Sequence, residues 1–565
     1  MNFKYWASLL TLSSIMLPAA AIDFKKVPGM SLTGSLQADV LFPEEDHAIE
    51  TGEYSDKVLG NAYLSLNFQS QYVNAGGRFE YLDHPLPGFE PDFKGWGVPY
   101  FYVTGKYKNI ALTVGDFYDQ FGSGFIFRSY EERSLGIDNS LRGLHLAVDC
   151  VEGVRLRALG GKQRRYWDHN DSYIWGGDVE VNLDQWISSL RDHQTYLLLG
   201  GSYVGKHEKD QLIPVIVGNE QMRLNLPLNV SAFDVRAKMQ KGGYSVLAEY
   251  AYKINDPSFD NGYIYKNGDA FLLSGSYSQR GMSFLVQAKR SDNMSYRSRR
   301  DMDGTSSFIN HLPAFSTQQS YSLATLYPYS TQPMGEWAFQ GEAGYTFKRK
   351  TPLGGKYGTF VKVNFAHIRS IGKDFVTEGD LKGTDGYTSK FFDFGDDLYY
   401  QDLNVTIEKK ISKNVKLNGM YLYQKYNPVI VKHDEDMVKA HIFVAEGRFN
   451  LTSKLILRTE LQYLLANKYK GDEDVSYPER SNQGDWMYGM AELSVLPYLM
   501  FSVSDMYNNG GSKVHYYMAN AVGTYKSHRL QVGYGRTRAG YNCSGGVCRM
   551  VPASRGFQMS YSFNF

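Results

Sequence analysis

An alternation of apolar and polar side chains with a period of two residues is the feature of this 565-residue chain that most restricts its fold. It is clearest in the last ten residues, GFQMSYSFNF, whose apolar members are Phe557, Met559, Tyr561, Phe563 and Phe565. Successive side chains of a β-strand point to opposite faces. The segment therefore predicts a strand with one apolar and one polar face, which suits a wall between lipid and water.

The same alternation recurs along the chain. Residues 233–239 and 244–254 alternate on either side of Lys241-Gly242-Gly243, a pattern typical of an antiparallel hairpin with a tight turn. Residues 271–288 and 455–465 follow it as well. After the N-terminal segment, no apolar run approaches the ~18 residues that a membrane-spanning helix requires. Strands, not helices, are therefore expected to cross a membrane.

The connections between predicted strands alternate between short turns, one of them near Pro352, and long polar loops, with a particularly long loop at residues 291–335. One of the predicted strands starts near Tyr100. Barrels of the bacterial outer membrane have short turns on the periplasmic side and long loops outside. Along the whole chain this alternation predicts about 24 strands, within a range of about 22 to 26, and both termini in the periplasm. We therefore predict an all-β fold in which residues 22–565 form one domain, a transmembrane antiparallel up-and-down β-barrel.

Both ends of the chain point to export. Residues 1–21 contain the basic Lys4, an apolar run and the triplet Ala19-Ala20-Ala21, as expected of a secretory signal peptide. The last strand resembles the C-terminal signal that barrel-assembly machinery reads, carried here by Phe557, Tyr561, Phe563 and Phe565. We expect the chain in the cell outer membrane of a Gram-negative bacterium, with outer-membrane lipid and that machinery as partners.

Composition favours a barrel over a soluble protein. The chain has 44 Tyr, 32 Phe and 56 Gly, yet its mean hydropathy is -0.39. A barrel reconciles these values, because aromatic girdles and a lipid-facing wall are combined with a polar lumen. The net charge of +1 gives no indication of a nucleic-acid partner. A secreted β-sandwich or propeller is the alternative fold, but it would not separate turns into short and long sets.

The most distinctive segment is GDFYDQFGSGFIFRSYEERSLGIDNSLRG, residues 115–143. It has too many glycines and charges for a lipid-facing strand. Its clustered charged residues are Arg128, Glu131, Glu132, Arg133 and Asp138. One hypothesis is a loop folded into the lumen, where these charges line a constriction that selects solutes. The other is an ordered outer loop that its ion pairs merely hold in place.

Two arginines of a following predicted strand, Arg155 and Arg157, alternate with apolar residues and should point into the lumen. There they could attract anions. They could equally be neutralised by carboxylates of neighbouring strands, which is the commoner arrangement; the candidates are Asp149, Asp178 and Glu180.

Cys543 and Cys548 lie in a late loop of a chain expected in an oxidising compartment, and we predict a disulfide between them. A metal site would need further ligands nearby, and none is evident. Cys150 is expected at a periplasmic turn as a free thiol. The acidic segments 168–171, 256–260, 434–436 and 472–474 lack the EF-hand spacing and are interpreted as solvated loops rather than calcium sites.

Residues 115–143 and the late loop YNCSGGVCRMVP, residues 541–552, resemble segments of a family of large uncharacterised outer-membrane β-barrels of Bacteroidetes. The likeness extends along most of the chain. It implies the barrel fold and the outer-membrane location, and it implies no activity.

A barrel of this width would breach the membrane if it were empty. The first predicted strand starts near Leu32, which leaves no room for a folded plug ahead of it. We therefore expect the lumen to be filled by the chain's own long loops or by a separate protein. The first case predicts a channel or passive transporter for polar solutes or an exported polymer.

If a separate protein fills the lumen, we predict a non-conducting scaffold of a secretion or surface-protein complex, with a periplasmic or lipoprotein partner. A surface adhesin or a barrel-embedded hydrolase is a weaker alternative. The chain contains neither the G-x-S-x-G motif nor the HExxH motif. We therefore predict no enzymatic activity, no catalytic residues and no cofactor.

Overall fold

The computed structural model describes residues 29–217, 220–432, 437–467 and 484–565. The predicted signal peptide and the acidic segments 434–436 and 472–474 lie outside these ranges. The main sheet has 25 strands, one of which, Asp168–His169, pairs with a single neighbour. The others form a closed antiparallel barrel of 24 strands, which confirms the predicted fold class and strand number.

The barrel strands are numbered in chain order. They are β1 Ser31–Pro43, β2 Leu59–Gln69, β3 Val73–His84, β4 Gly95–Tyr107, β5 Ile110–Phe117, β6 Leu141–Val151, β7 Val154–Arg165, β8 Tyr173–Asn182, β9 Thr195–His207, β10 Asn229–Lys241, β11 Tyr244–Lys253, β12 Gly268–Gln279, β13 Met282–Asp292, β14 Gly335–Phe347, β15 Thr359–Ile371, β16 Phe394–Lys410, β17 Val415–Tyr426, β18 Val438–Asn450, β19 Leu455–Ala466, β20 Trp486–Val495, β21 Leu499–Asn508, β22 His515–Tyr525, β23 His528–Thr537 and β24 Ser554–Asn564.

The connections carry short elements. Four small hairpins pair Glu131–Glu132 with Ile137–Asp138, Pro214–Val217 with Glu220–Arg223, Asp374–Phe375 with Tyr387–Thr388, and Gly540–Ser544 with Val547–Val551. The α-helices are Ser188–Asp192 and Pro428–Lys432, and the 3-10 helices are His47–Ile49, Pro91–Phe93, Arg133–Leu135, Leu183–Gln185, Phe259–Asn261 and Leu323–Thr325. No helix in the described ranges combines the length and apolarity needed to span a membrane.

The C-terminal strand closes the barrel. β24 pairs antiparallel with β1, from Ser35 opposite Asn564 to Pro43 opposite Gly556. The Phe565 backbone N–H donates to the Gly34 carbonyl at 2.9 Å, so pairing continues to the last residue. The outer face of this seam carries the predicted aromatic side chains: Phe557 packs on Phe42, the Tyr561 hydroxyl lies 2.8 Å from Nδ1 of His528, and Phe563 stacks between His528 and Phe565.

The period-two pattern separates the two faces of the wall. On β10, Phe233 and Val235 are 46% and 60% exposed, whereas the intervening Asp234 is 2% exposed. Apolar side chains therefore point outward, where lipid replaces water, and polar side chains point into the lumen, where protein covers them. The predicted start of one strand near Tyr100 is wrong by five residues, because Gly95 and Trp96 already pair with Leu82 and Tyr81 of β3.

Short and long connections alternate along the barrel. We call the end at which β1 begins and β24 ends, with turns such as 70–72 and 108–109, the short-turn end, and the opposite end the long-loop end. The short-turn connection at 183–194 is an exception in length, because it contains the 3-10 helix Leu183–Gln185 and the α-helix Ser188–Asp192. The connection around Pro352, predicted as a short turn, spans residues 348–358.

Two long loops fold back into the lumen, and together we call them the lumen plug: residues 118–140, the first plug loop, and residues 293–334, the second plug loop. Phe121, Phe125, Phe127, Met294 and Ile309 are fully buried. They form one hydrophobic core with lumen-facing side chains of β8 to β20, including Ile174, Ala232, Ala366, Leu422, Ile442 and Trp486.

The plug occupies the long-loop half of the lumen. Along β15, the lumen-facing Ala366 and Ile368, near the long-loop end, are fully buried, whereas the Lys362 side chain, nearer the short-turn end, is 32% exposed. The main core of this protein is thus enclosed by the barrel wall.

Candidate functional site in the lumen

The tip of the first plug loop is bound to the wall by one carboxylate. Glu249 of β11 is 2% exposed and accepts hydrogen bonds from the Ser123 backbone N–H at 2.8 Å and from the Ser123 hydroxyl at 2.6 Å. Gly122 adopts a φ of 52°, and a Cβ at this position would lie 2.5 Å from Oε1 of Glu249. The left-handed backbone and the close approach both favour glycine.

The two plug loops are hydrogen-bonded to each other. The Arg128 backbone N–H donates to the Ile309 carbonyl, and the His311 N–H donates to the Gly124 carbonyl, both at 2.8 Å. The Asn310 side-chain amide donates to the Phe125 carbonyl at 3.0 Å. These hydrogen bonds join the loops into one interlocked unit.

A buried ion-pair network ties the far end of the first plug loop to the wall. Asp138 accepts from Arg78 and, at 2.6 Å, from Arg164. Glu80 completes the group, at 2.6 Å from Arg78 and 2.8 Å from Arg164. The four side chains are 2% to 9% exposed. Each buried charge therefore has partners of opposite sign, as burial requires.

The other charged residues of segment 115–143 contact several different partners. Glu131 lies 2.9 Å from Arg78 and 2.5 Å from Arg133, whose guanidinium also donates to Gln37 of β1 at 3.0 Å. Glu132 accepts from the Ser134 hydroxyl at 2.7 Å at the surface of the loop. Arg128 stacks over the Tyr130 ring at 4.4 Å. The five residues thus hold the loop at different places and do not form a single ring.

The two strand arginines also point into the lumen. Arg157 of β7 contacts Asp178 of β8 at 2.6 Å and Asp119 of the first plug loop at 2.7 Å, and Glu180 lies 3.9 Å away. Arg155, nearer the short-turn end, is 56% exposed and lies 4.0 Å from Asp149. Arg157 is therefore neutralised and anchors the plug.

Sequence reasoning missed Arg78, Glu80 and Glu249 as plug anchors. In the sequence, these residues stand out only as charged residues at positions that the alternation assigns to the lumen. That signal does not identify the partner, because Ser123 and Glu249 are 126 residues apart in the chain.

The hairpin Gly540–Ser544 with Val547–Val551, which we call the disulfide hairpin, carries the Cys543–Cys548 disulfide. Asn542 and Arg549 both donate to the Ser134 carbonyl of the first plug loop, at 3.1 and 3.0 Å. The Thr331 N–H of the second plug loop donates to the Gly546 carbonyl at 3.1 Å. The hairpin therefore bridges the two plug loops at the long-loop end.

We expect alkylation of the denatured, unreduced protein to label one thiol, that of Cys150, which is free and exposed at the short-turn end. After reduction, all three cysteines should be labelled. Intact-protein mass spectrometry measures both numbers. Three labelled thiols without reduction would contradict the disulfide.

His311 lies where the two plug loops meet the disulfide hairpin. Burial, with Arg128 and Lys289 nearby, lowers the pKa of His311 from its usual 6.5 to about 3. The folded plug therefore keeps the ring neutral, while a released loop binds a proton below about pH 6.5. The contribution of His311 to the stability of plug docking is complete at neutral pH. It is lost as the pH falls toward the pKa that His311 has in the folded plug.

Acidification should consequently weaken plug docking by about 2 kcal/mol between about pH 7 and pH 5. Hydrogen exchange of the amides of residues 293–334 measures this change. His311→Gln should remove most of the pH dependence in this window, which lies above the titration of ordinary carboxylates. An unchanged pH dependence in the variant would assign it to other groups.

The side chains of this site attach the plug loops to the barrel wall. Its buried carboxylates Glu80 and Asp138 contact arginines, and Glu249 accepts hydrogen bonds from Ser123. In the part of the chain that the structure describes, no three His, Cys, Asp or Glu side chains group as metal ligands. The arrangement holds the loops in place.

These features define a large outer-membrane-type β-barrel with a plug made from its own loops. The chain belongs to the family of unknown function DUF6029, whose model matches residues 3–565. The Bacteroidetes origin implied by the resemblance stays an expectation. A comparison with curated proteins found no match.

Several solved structures are similar. The siderophore receptor PirA from Pseudomonas aeruginosa is 10% identical, with a TM-score of 0.43 over 94% of this chain and 80% of that chain. The P pilus usher PapC translocation pore is 10% identical, with a TM-score of 0.41 over 95% and 99% of the two chains. OccAB3 from Acinetobacter baumannii is 10% identical, with a TM-score of 0.35 over 95% and 100%.

Proposed function

We propose that this protein is a transporter for polar solutes in the outer membrane of a Gram-negative bacterium, with its short-turn end in the periplasm, and that the lumen plug closes its resting state. The observation that carries the proposal is the packing of two interlocked loops inside the barrel, with Phe121, Phe125 and Phe127 fully buried. A barrel of 24 strands is wider than an open porin, and its resting state must be closed.

The polar groups that attach the plug to the wall allow the lumen to open as well as to close. Ser123 and Asp138 join the plug to the wall by hydrogen bonds and ion pairs with Glu249, Arg78 and Arg164. Burial of such groups costs desolvation that offsets most of their mutual attraction. When the loop moves into a water-filled lumen, these groups regain hydration. Polar attachments therefore hold a loop in a defined position at a small net free energy.

The second candidate is the non-conducting scaffold, which would act with a periplasmic or lipoprotein partner. The continuous apolar contact between plug and wall, from Ile174 of β8 to Trp486 of β20, favours this candidate because it resists displacement. The two candidates differ in whether the wild-type barrel conducts.

Planar-bilayer recordings test the proposal. The wild type should show intermittent openings. The double variant Ser123→Cys, Glu249→Cys, built in a Cys150→Ser background and joined by a short bis-maleimide, should be silent because the loop tip can no longer leave the wall. The same double variant without cross-linker is the matched control and should conduct. A folded, heat-modifiable wild type that is silent at every voltage would overturn the proposal and favour the scaffold.

A further inference from the structure

A cavity of about 370 Å³ lies inside the barrel beside the seam between β24 and β1. Its wall consists of lumen-facing side chains of β1, β23 and β24, among them Asp39, Leu41, Gln531, Gln558 and Ser560. These positions alternate with the outward-facing Phe557 and Tyr561 of the seam, so the cavity is on the lumen side of the wall.

The plug ends where this cavity begins. Arg133 of the first plug loop donates to Oε1 of Gln37 on β1 at 3.0 Å, and the Gln37 amide donates to Asp39 at 2.8 Å. Arg133 is thus the edge of the plug, and Asp39 is the first cavity residue beyond it. The seam cavity therefore lies along the wall, next to the edge of the plug.

Loop tips, not strands, cover the cavity toward the long-loop end. Leu86 and Pro87 of the connection 85–94 and Val551 of the disulfide hairpin line it. The Leu86 N–H donates to Asn61 of β2 at 3.2 Å, and Arg549 of the hairpin stacks over Phe89 at 4.4 Å. This cover can move without breaking the barrel sheet, because neither segment pairs with a barrel strand.

The lining of the cavity differs from the rest of the lumen. Arg157 and Arg236 on the plug side are engaged in buried ion pairs. At the seam, amides and hydroxyls are combined with apolar side chains and with one charged group of each sign. The polar lining includes Gln531, Gln558, Ser560, Asp39 and Arg538. Small-ligand sites are typically of this size or larger and combine apolar walls with a few hydrogen-bonding groups. Amides and hydroxyls both donate and accept, so they suit an uncharged hydroxyl-bearing solute.

We propose that the seam cavity is the binding and passage site of small uncharged polar solutes, and that Asp39, Gln531, Gln558 and Ser560 determine its specificity. This inference rests on the proposed transport function and identifies the substrate class and the route. The solute passes between the edge of the first plug loop and the seam strands when the tip of that loop leaves Glu249.

The test uses thiol modification after reconstitution, so that folding is complete before the route is blocked. Ser560→Cys, in a Cys150→Ser background, is placed in liposomes, and glucose-driven swelling is measured before and after a bulky methanethiosulfonate reagent. Modification should slow swelling by about threefold or more, because the adduct fills the cavity. The matched control is Ser276→Cys in the same background, on the lumen face of β12 across the barrel from β24. Its modification should leave the rate nearly unchanged.

The outcomes separate the two proposals. If the unmodified protein admits glucose and modification of Ser560→Cys changes nothing, or changes no more than modification of Ser276→Cys, the seam route is wrong and transport stands. A Ser560→Cys thiol that the reagent does not reach also overturns the route. If the unmodified protein admits no solute, the transport function fails, and the inference fails with it.

Discussion

Replacing residues 119–139 with a short Gly-Ser linker is expected to raise single-channel conductance by about tenfold or more, because barrels of only 16 to 18 strands already leave an aqueous channel. The deleted segment supplies side chains that fill the lumen, including Phe121, Phe125 and Phe127. The wall should survive the change, since β5 and β6 pair directly from Phe117 opposite Leu141 to Ile110 opposite Val148. Planar-bilayer recording measures the effect.

The matched control removes another part of the long-loop end. The hairpin of Pro214–Val217 with Glu220–Arg223 carries the 77% exposed Ile216, so it lies outside the packed core. Its replacement by a similar linker should leave conductance at the wild-type level. Equal conductance of the two variants would show that the first plug loop does not close the lumen.

Asp138→Ala should release the first plug loop with a loss of about 3 to 5 kcal/mol of docking free energy. The substitution leaves Arg78 and Arg164, whose side chains are 5% and 2% exposed, with one carboxylate fewer in a dry site. Hydrogen exchange of the amides of residues 119–139 should then accelerate by about 100-fold or more. Channel openings should become more frequent for the same reason.

Glu132→Ala provides the comparison, because this carboxylate belongs to the same sequence cluster but accepts hydrogen bonds from the nearby Ser134 at the loop surface. Its loss should cost about 0.5 kcal/mol or less. Similar exchange rates in the two variants would mean that the Asp138 network does not hold the plug.

Much of the wall could be predicted from residue patterns. The alternation in residues 233–239 and 244–254 identifies a hairpin, and the structure pairs Phe233 with Tyr252 and Val235 with Tyr250. The alternation of short turns with long loops led to the number of strands. An error arose at the start of β4, because a register shift between Arg78 and Glu80 of β3 interrupts the alternation, and the strand pairing continues beyond it to Gly95.

The candidate site was harder to predict from the sequence than the wall. The charges of residues 128–138 indicated a special segment but left a lumen constriction and an outer loop as equal alternatives. The structure places this segment inside the barrel, where Asp138 contacts Arg78 and Arg164 while Glu132 stays at the loop surface. Nothing in the spacing of these residues distinguishes their roles.

The sequence by itself determined the transmembrane barrel, because the period of two is a local property that assigns each side chain to lipid or to lumen. Only the tertiary structure decided what fills the lumen. The contacts that settle it, such as Ser123 with Glu249 and Arg133 with Gln37, join residues 126 and 96 positions apart. The free energy of these contacts depends on partners that barrel closure brings together. A local sequence pattern does not identify those partners.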